Sequence, residues 1–183
     1  MEKKKLKAID IVYIAIGAAL MAVCSWISIP FVVPFTLQTF AVFLTVNLLG
    51  GKRGSISVLV YILLGAVGLP VFANFKGGLG ALLGTTGGYI IGFLFTAAVM
   101  WALEKISSKN IALNAAVMLL GLLVCYAFGT AWFMYVYIRD NGAVTLFTVL
   151  SWCVIPFIVP DVIKIALALF ISRNKGVRRV ING

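Results

Sequence analysis

Apolar residues fall in six long runs, at about residues 11–29, 35–50, 54–70, 82–103, 111–138 and 146–172, separated by proline, glycine or charge. Each run is close to or above the ~20 residues that a helix needs to cross a ~30 Å hydrocarbon core. The pattern predicts an all-α integral membrane protein, a bundle of six transmembrane helices. The fifth and sixth runs are longer than one crossing requires, so they tilt, break or extend into the interface. Pro156 and Pro160 in the sixth delete backbone donors and mark the expected break. The first run follows a basic start and has the outline of a signal peptide. It is nevertheless about as long as a full span, and Leu20-Met-Ala-Val-Cys24 lacks the small residues of a processing site, so it reads as the first helix.

Composition agrees with lipid as the solvent. Of 183 residues, 63% are hydrophobic and only 11% charged, whereas a water-facing surface alone takes roughly 25–35% charged residues. Six spans with short connections use up the length, leaving one transmembrane domain over 1–183. Twelve of the 15 Lys and Arg fall on one side of the predicted topology: Lys3, Lys4, Lys5, Lys7, Lys52, Arg53, Lys105, Lys109, Arg173, Lys175, Arg178 and Arg179. Lys76 and Arg139 fall on the other, and Lys164 lies inside a span. By the positive-inside rule both termini are expected to be cytoplasmic, in a cell membrane. That bias accounts for the net charge of +10 without nucleic acid as a partner, the basic clusters facing the lipid bilayer.

Several chemistries are disfavoured. There is no histidine, which removes the usual catalytic base and a common metal ligand; of the five acids, Glu2, Asp10, Glu104, Asp140 and Asp161, only Asp161 lies deep in a span, so a paired-carboxylate site is not expected. Cys24, Cys125 and Cys153 are odd in number, far apart and set in apolar runs, and read as packing residues rather than a disulfide or metal site. Neither the glycine-rich stretch at 77–88 nor Gly51-Lys52-Arg53 carries a phosphate-loop spacing, so no ATPase, metal or cofactor site is expected. The Gly-rich and Pro-paired interruptions differ in chemistry, which argues against an inverted-repeat carrier.

Four places remain where function can sit. Asp161 and Lys164, spaced i,i+3, share a helix face, and ionisable groups inside a membrane mark a functional site by default. With Pro160 as first residue of a resumed helix, Asp161 would meet free backbone N–H groups in its first turn. A ligand with N–H donors and a carboxylate suits the pair; the alternative is an internal ion pair bracing a broken helix. Residues 68–89, with glycine at half of the positions from Gly77 to Gly88, are expected to form a non-helical lid or pocket wall, with Asn74, Thr85, Thr86 and Tyr89 polar and Phe72 and Phe75 apolar; the alternative is a flexible connector. At 29–39, Gln38 either closes over a pocket or bonds to neighbouring backbone while Thr36 caps a helix. Ala15/Ala19 and Ala18/Ala22, four apart on the first helix, form a small-residue stripe for packing within the bundle or for a partner.

The motifs Pro34-Phe-Thr-Leu-Gln-Thr39, Gly50 to Gly54, Gly65-Ala-Val-Gly-Leu-Pro-Val-Phe72, Gly84-Thr-Thr-Gly-Gly-Tyr89 and Pro160-Asp-x-x-Lys164 together resemble the biotin-specific substrate-binding (S) component of energy-coupling factor (ECF) transporters, the BioY family. Thr85 departs from the proline often found there. The resemblance implies a protein that captures extracellular biotin and delivers it inward by reorienting in the membrane, with a transmembrane coupling (T) protein and two cytoplasmic ATP-binding cassette ATPases. It implies biotin contacts at Asp161, Lys164, Asn74, Gln38, Tyr89, Phe72 and Phe75, and a coupling-protein contact at Ala15 and Ala19. An S component for another small vitamin, or a membrane scaffold in which Asp161 and Lys164 are only a structural pair, are the competing expectations.

Overall fold

The computed structural model describes residues 7–174. The outermost basic residues counted above, Lys3 to Lys5 and Lys175 to Arg179, lie outside the described residues. The six apolar runs become α1 (Ala8–Trp26), α2 (Gln38–Leu49), α3 (Gly51–Ala66), α5 (Gly87–Ala102), α7 (Ile111–Asn141) and the pair α8 (Leu146–Cys153) and α9 (Ile155–Ser172). Short helices α4 (Leu79–Leu83) and α6 (Glu104–Ser107) lie in connections, and β1 (Ser28–Ile29) pairs antiparallel with β2 (Phe35–Thr36) between α1 and α2. Among the described residues α1, α7 and α9 are long and apolar enough to cross a membrane. Helices α2, α3 and α5, of 12, 16 and 16 residues, fall short of that length.

Two local expectations are corrected. The sixth run breaks at Val154 (φ −126°, ψ −56°), so Pro156 takes the opening turn of α9 and Pro160 sits inside it. A proline in the first turn forfeits an N–H that has no helical acceptor, which is why the break precedes Pro156. Asp161 therefore lies in the second turn, and side chains rather than free N–H groups meet its charge. The stretch 68–89 is also not wholly irregular: α4 forms within it, anchored by buried Leu82.

Close backbone approach holds the bundle together. A Cβ on Gly88 or Gly92 of α5 would come within 2.3 Å of Trp132 or 2.8 Å of Cys125, and one on Gly129 of α7 within 2.2 Å of Tyr89. Where lipid is as apolar as the core, such intimacy is the main source of helix association. All three cysteines are buried and unpaired, as packing residues are. Gly65 has a second role: a Cβ there would sit 1.9 Å from the ring of Phe72, which is buried edge-to-face on Tyr61. We expect Gly65→Ala to cost about 1–3 kcal/mol by overpacking, read as a lower thermal unfolding midpoint in detergent.

Candidate binding site

The beginnings of α2 and α5, the middle of α7 and the first half of α9 converge on a cavity of about 620 Å³, within the range of roughly 300–1,000 Å³ typical of small-molecule sites. Its floor carries the ionic pair. Lys164 Nζ donates to Asp161 Oδ1 at 2.7 Å, and both side chains are almost wholly buried. Thr39 links them: its hydroxyl donates to Asp161 Oδ1 at 2.9 Å and accepts from Lys164 Nζ at 3.1 Å. Tyr126 donates to Asp161 Oδ2 at 2.6 Å, and Lys164 Nζ stands 4.5 Å from the ring centroid of Phe35. A buried carboxylate with three donors and an ammonium with an opposite charge, a hydroxyl and a π-face are the conditions under which ions persist in low dielectric.

Around the floor, Gln38 Nε2 donates to the Tyr61 hydroxyl, which donates to the Val71 carbonyl at 3.1 Å. Thr36 does not cap α2 as an N-cap residue; its hydroxyl accepts from the Gln38 backbone N–H at 3.2 Å in a local turn. Tyr89, buried, exchanges a hydrogen bond with Thr130 at 3.1 Å. Phe157 and Phe31, edge-on to each other at 6.4 Å, make part of the lining aromatic, and Phe157 also stacks on Phe35 at 5.6 Å. Another part of the lining is glycine-rich, with Gly77, Gly80 and Gly84 bordering the cavity and Gly84 O held by Trp132 Nε1 at 3.0 Å.

The mouth is shaped by a tight loop. Phe72 N donates to Lys76 O, and Asn74 and Phe75 between them adopt the left-handed region at φ 57° and 55°. That region is tolerable for Asn but costly for Phe. Ring stacking of Phe75 on Trp26, at 5.3 Å between centroids, offsets the strain. Asn74 accepts from Ser28 Oγ at 3.0 Å, tying the loop to β1.

Of the residues singled out in the sequence, Asp161, Lys164, Gln38, Asn74, Tyr89 and Phe72 line this one cavity. Phe75 does not: it is 63% exposed and turned toward Trp26, because the left-handed turn carries it past the opening. We expect Phe75→Ala to change ligand affinity by less than about twofold; a tenfold loss in calorimetry would contradict this placement. Sequence reasoning missed Thr39, Phe157, Tyr126 and Lys76, all of which line the cavity, and Phe35, whose ring meets Lys164 and Phe157. Thr39 and Phe35 stood inside a quoted motif, whereas Tyr126 carries no sequence signal within its apolar run. Ala15 and Ala19 are exposed on α1, and the adjacent row, Ala18 and Ala22, is buried, so the edge of the packed face runs between the two small-residue rows.

The model of the BioY family matches residues 1–182. The chain belongs to the BioY family. Among BioY relatives, the biotin transporter BioY of Thermotoga maritima is 43% identical over 86% of this chain and 89% of its own length. The probable biotin transporter BioY of Pyrococcus horikoshii is 40% identical over 92% of this chain and 97% of its own, and biotin transporter BioY2 of Lactococcus lactis is 33% identical over 91% and 88%. The fold is similar to the crystal structure of the S-component for biotin from an ECF-type ABC transporter, with a TM-score of 0.80 and 28% identity over 100% of this chain and 96% of that one. As a BioY protein with long apolar helices, the chain is a membrane protein.

Proposed function

We propose that this chain is the high-affinity biotin-binding S component of an ECF-type vitamin uptake transporter, a single membrane domain of six spans with both termini cytoplasmic in the cell membrane. The reading is carried by the hydrogen-bonding positions left open on the cavity floor. A carboxylate has about four lone-pair sites; Thr39 and Lys164 occupy two on Oδ1 of Asp161 and Tyr126 one on Oδ2. One acceptor site remains on Oδ2, together with the acceptor capacity of the Tyr126 oxygen. Lys164 has three donors, of which Asp161 and Thr39 take two. The ureido ring of biotin has two N–H donors and one strong acceptor, the complement of those vacancies.

In this pose the ureido ring lies on the floor and the fused thioether ring lies among Tyr89, Phe72 and Phe157, with Gln38 and Asn74 beside it. The valerate carboxylate then extends to the mouth, where Lys76 is exposed and lines the opening. Leaving the charged tail near water avoids the desolvation that a second buried anion would incur. Lys76→Ala is accordingly expected to weaken biotin roughly three- to fivefold, as loss of a partly solvated ion pair does, and to leave biotinamide affinity unchanged. Equal loss for both ligands would remove the carboxylate assignment.

Delivery inward is assigned to reorientation in the bilayer with a transmembrane coupling protein at Ala15 and Ala19 and two cytoplasmic ATPases, this chain supplying capture and no hydrolysis. The test is calorimetric titration of purified, detergent-solubilised protein with biotin, dethiobiotin, lipoate, thiamine and riboflavin. Tight one-to-one binding selective for biotin is expected. Tight binding of another vitamin alone would replace the substrate, and folded protein that binds none would leave a membrane scaffold.

A further inference from the structure

A second cavity, of about 430 Å³, lies at the other end of the same helices. It is formed where α2 ends, α3 begins, α5 passes into α6, α7 begins and α9 ends, with Lys109, Arg173, Glu104, Asn47 and Asn114 contributing its polar groups. From Asn114 to Cys125 of the first cavity is eleven residues of α7, or ~16 Å at 1.5 Å per residue, so the two sites are separate. Biotin chemistry gives this end no task.

Three features make it a site. Lys109 and Arg173, from α7's approach and α9's end, are exposed cations that both line this cavity. Glu104, on the same cavity, is fixed: its Oε1 accepts from the Gly51 backbone N–H at 3.1 Å. Asn114, which lines the cavity at 6% exposure, has an Oδ1 with no hydrogen-bond partner among the described residues. A buried amide oxygen without a donor costs about 1–3 kcal/mol and is the mark of an absent partner.

We propose that this cavity binds the headgroup of a membrane phosphodiester lipid, the phosphate between Lys109 and Arg173 and a donor on the headgroup alcohol directed to Asn114 and Glu104. The location suits it, because helix ends lie at headgroup depth and basic pockets between helices there recruit lipid phosphate. The donor requirement makes the proposal selective. Phosphatidylethanolamine offers N–H groups and phosphatidylglycerol offers hydroxyls, whereas phosphatidylcholine has the same phosphate and no donor on its headgroup.

Native mass spectrometry of the delipidated full chain, with the three lipids of matched acyl chains added in turn, tests this. Ethanolamine and glycerol lipids are expected to be retained at several times the occupancy of the choline lipid. Lys109→Ala combined with Arg173→Ala is expected to lower their affinity roughly tenfold, with biotin binding retained as the measure of correct folding. Asn114→Leu is expected to abolish the preference over the choline lipid without abolishing phosphate binding; should that variant fail to fold, the double-cation variant decides. Displacement of the lipid by an equal concentration of soluble glycerophosphoethanolamine would assign the site to the free headgroup ester, and retention of the diacyl lipid alone assigns it to the bilayer. Equal occupancy of all three lipids, or unchanged retention in the double-cation variant, overturns the proposal.

Discussion

Asp161→Asn is expected to weaken biotin binding by at least about tenfold, ~1.4 kcal/mol or more. The substitution keeps shape but replaces a full charge with an amide. One of the two oxygens that accept from Thr39, Lys164 and Tyr126 becomes an amide nitrogen. The remaining acceptor is then contested between Tyr126, Thr39, Lys164 and the ligand. Lys164→Ala acts from the other side, withdrawing the donor expected for the ureido oxygen and leaving a carboxylate at 2% exposure with hydroxyl donors only. Breaking a buried ion pair by removing one partner costs about 3–5 kcal/mol, whereas exchanging both for apolar groups is often neutral. Lys164→Ala should therefore lower stability as well as affinity, and Asp161→Leu combined with Lys164→Met should recover the unfolding midpoint without recovering biotin. That separation of stability from binding distinguishes a ligand-binding pair from a brace. Normal binding by both single variants would refute the pocket assignment.

Ala15→Leu and Ala19→Leu are each expected to leave biotin affinity intact and to reduce biotin uptake roughly tenfold or more in cells that supply the coupling protein and ATPases. Small residues let helix backbones approach closely, and an isobutyl group at the point of contact forces them apart. Both alanines are exposed on α1 with Val12, Ile16 and Val23 around them. Neither side chain lines the cavity. Ala18 and Ala22, 2% and 7% exposed, serve as the internal control: Ala18→Leu should destabilise the bundle itself by overpacking. If Ala15→Leu abolished binding and a bulkier Ala18 did not, the seams would be reversed and the exposed row would have no docking role.

Much of this protein is written in the linear pattern. The long apolar runs determined that the chain is helical and lives in lipid, because each residue in such a run must satisfy its own backbone within the segment. Charge in an apolar span singled out Asp161 and Lys164, because ionisable groups there are too costly to occur without a task. Spacing of four put Ala15 with Ala19 and Ala18 with Ala22, but one helix viewed alone has no inside. Only the packing of α1 against its neighbours covered one row and left the adjacent one exposed. Tertiary structure likewise decided what meets Asp161, since Thr39 and Tyr126 lie 122 and 35 residues away in sequence and no local period links them. It moved the break in the last run to Val154, where a turn could form ahead of Pro156. It also took Phe75 out of the cavity, through two successive left-handed residues, a conformation that Asn74 tolerates but Phe75 does not favour and that the stacking on Trp26 and the Ser28–Asn74 bond sustain. Periodicity and transfer cost are properties of a segment and can be read along it; the choice of facing partners belongs to the assembled bundle, where close packing admits one arrangement of faces.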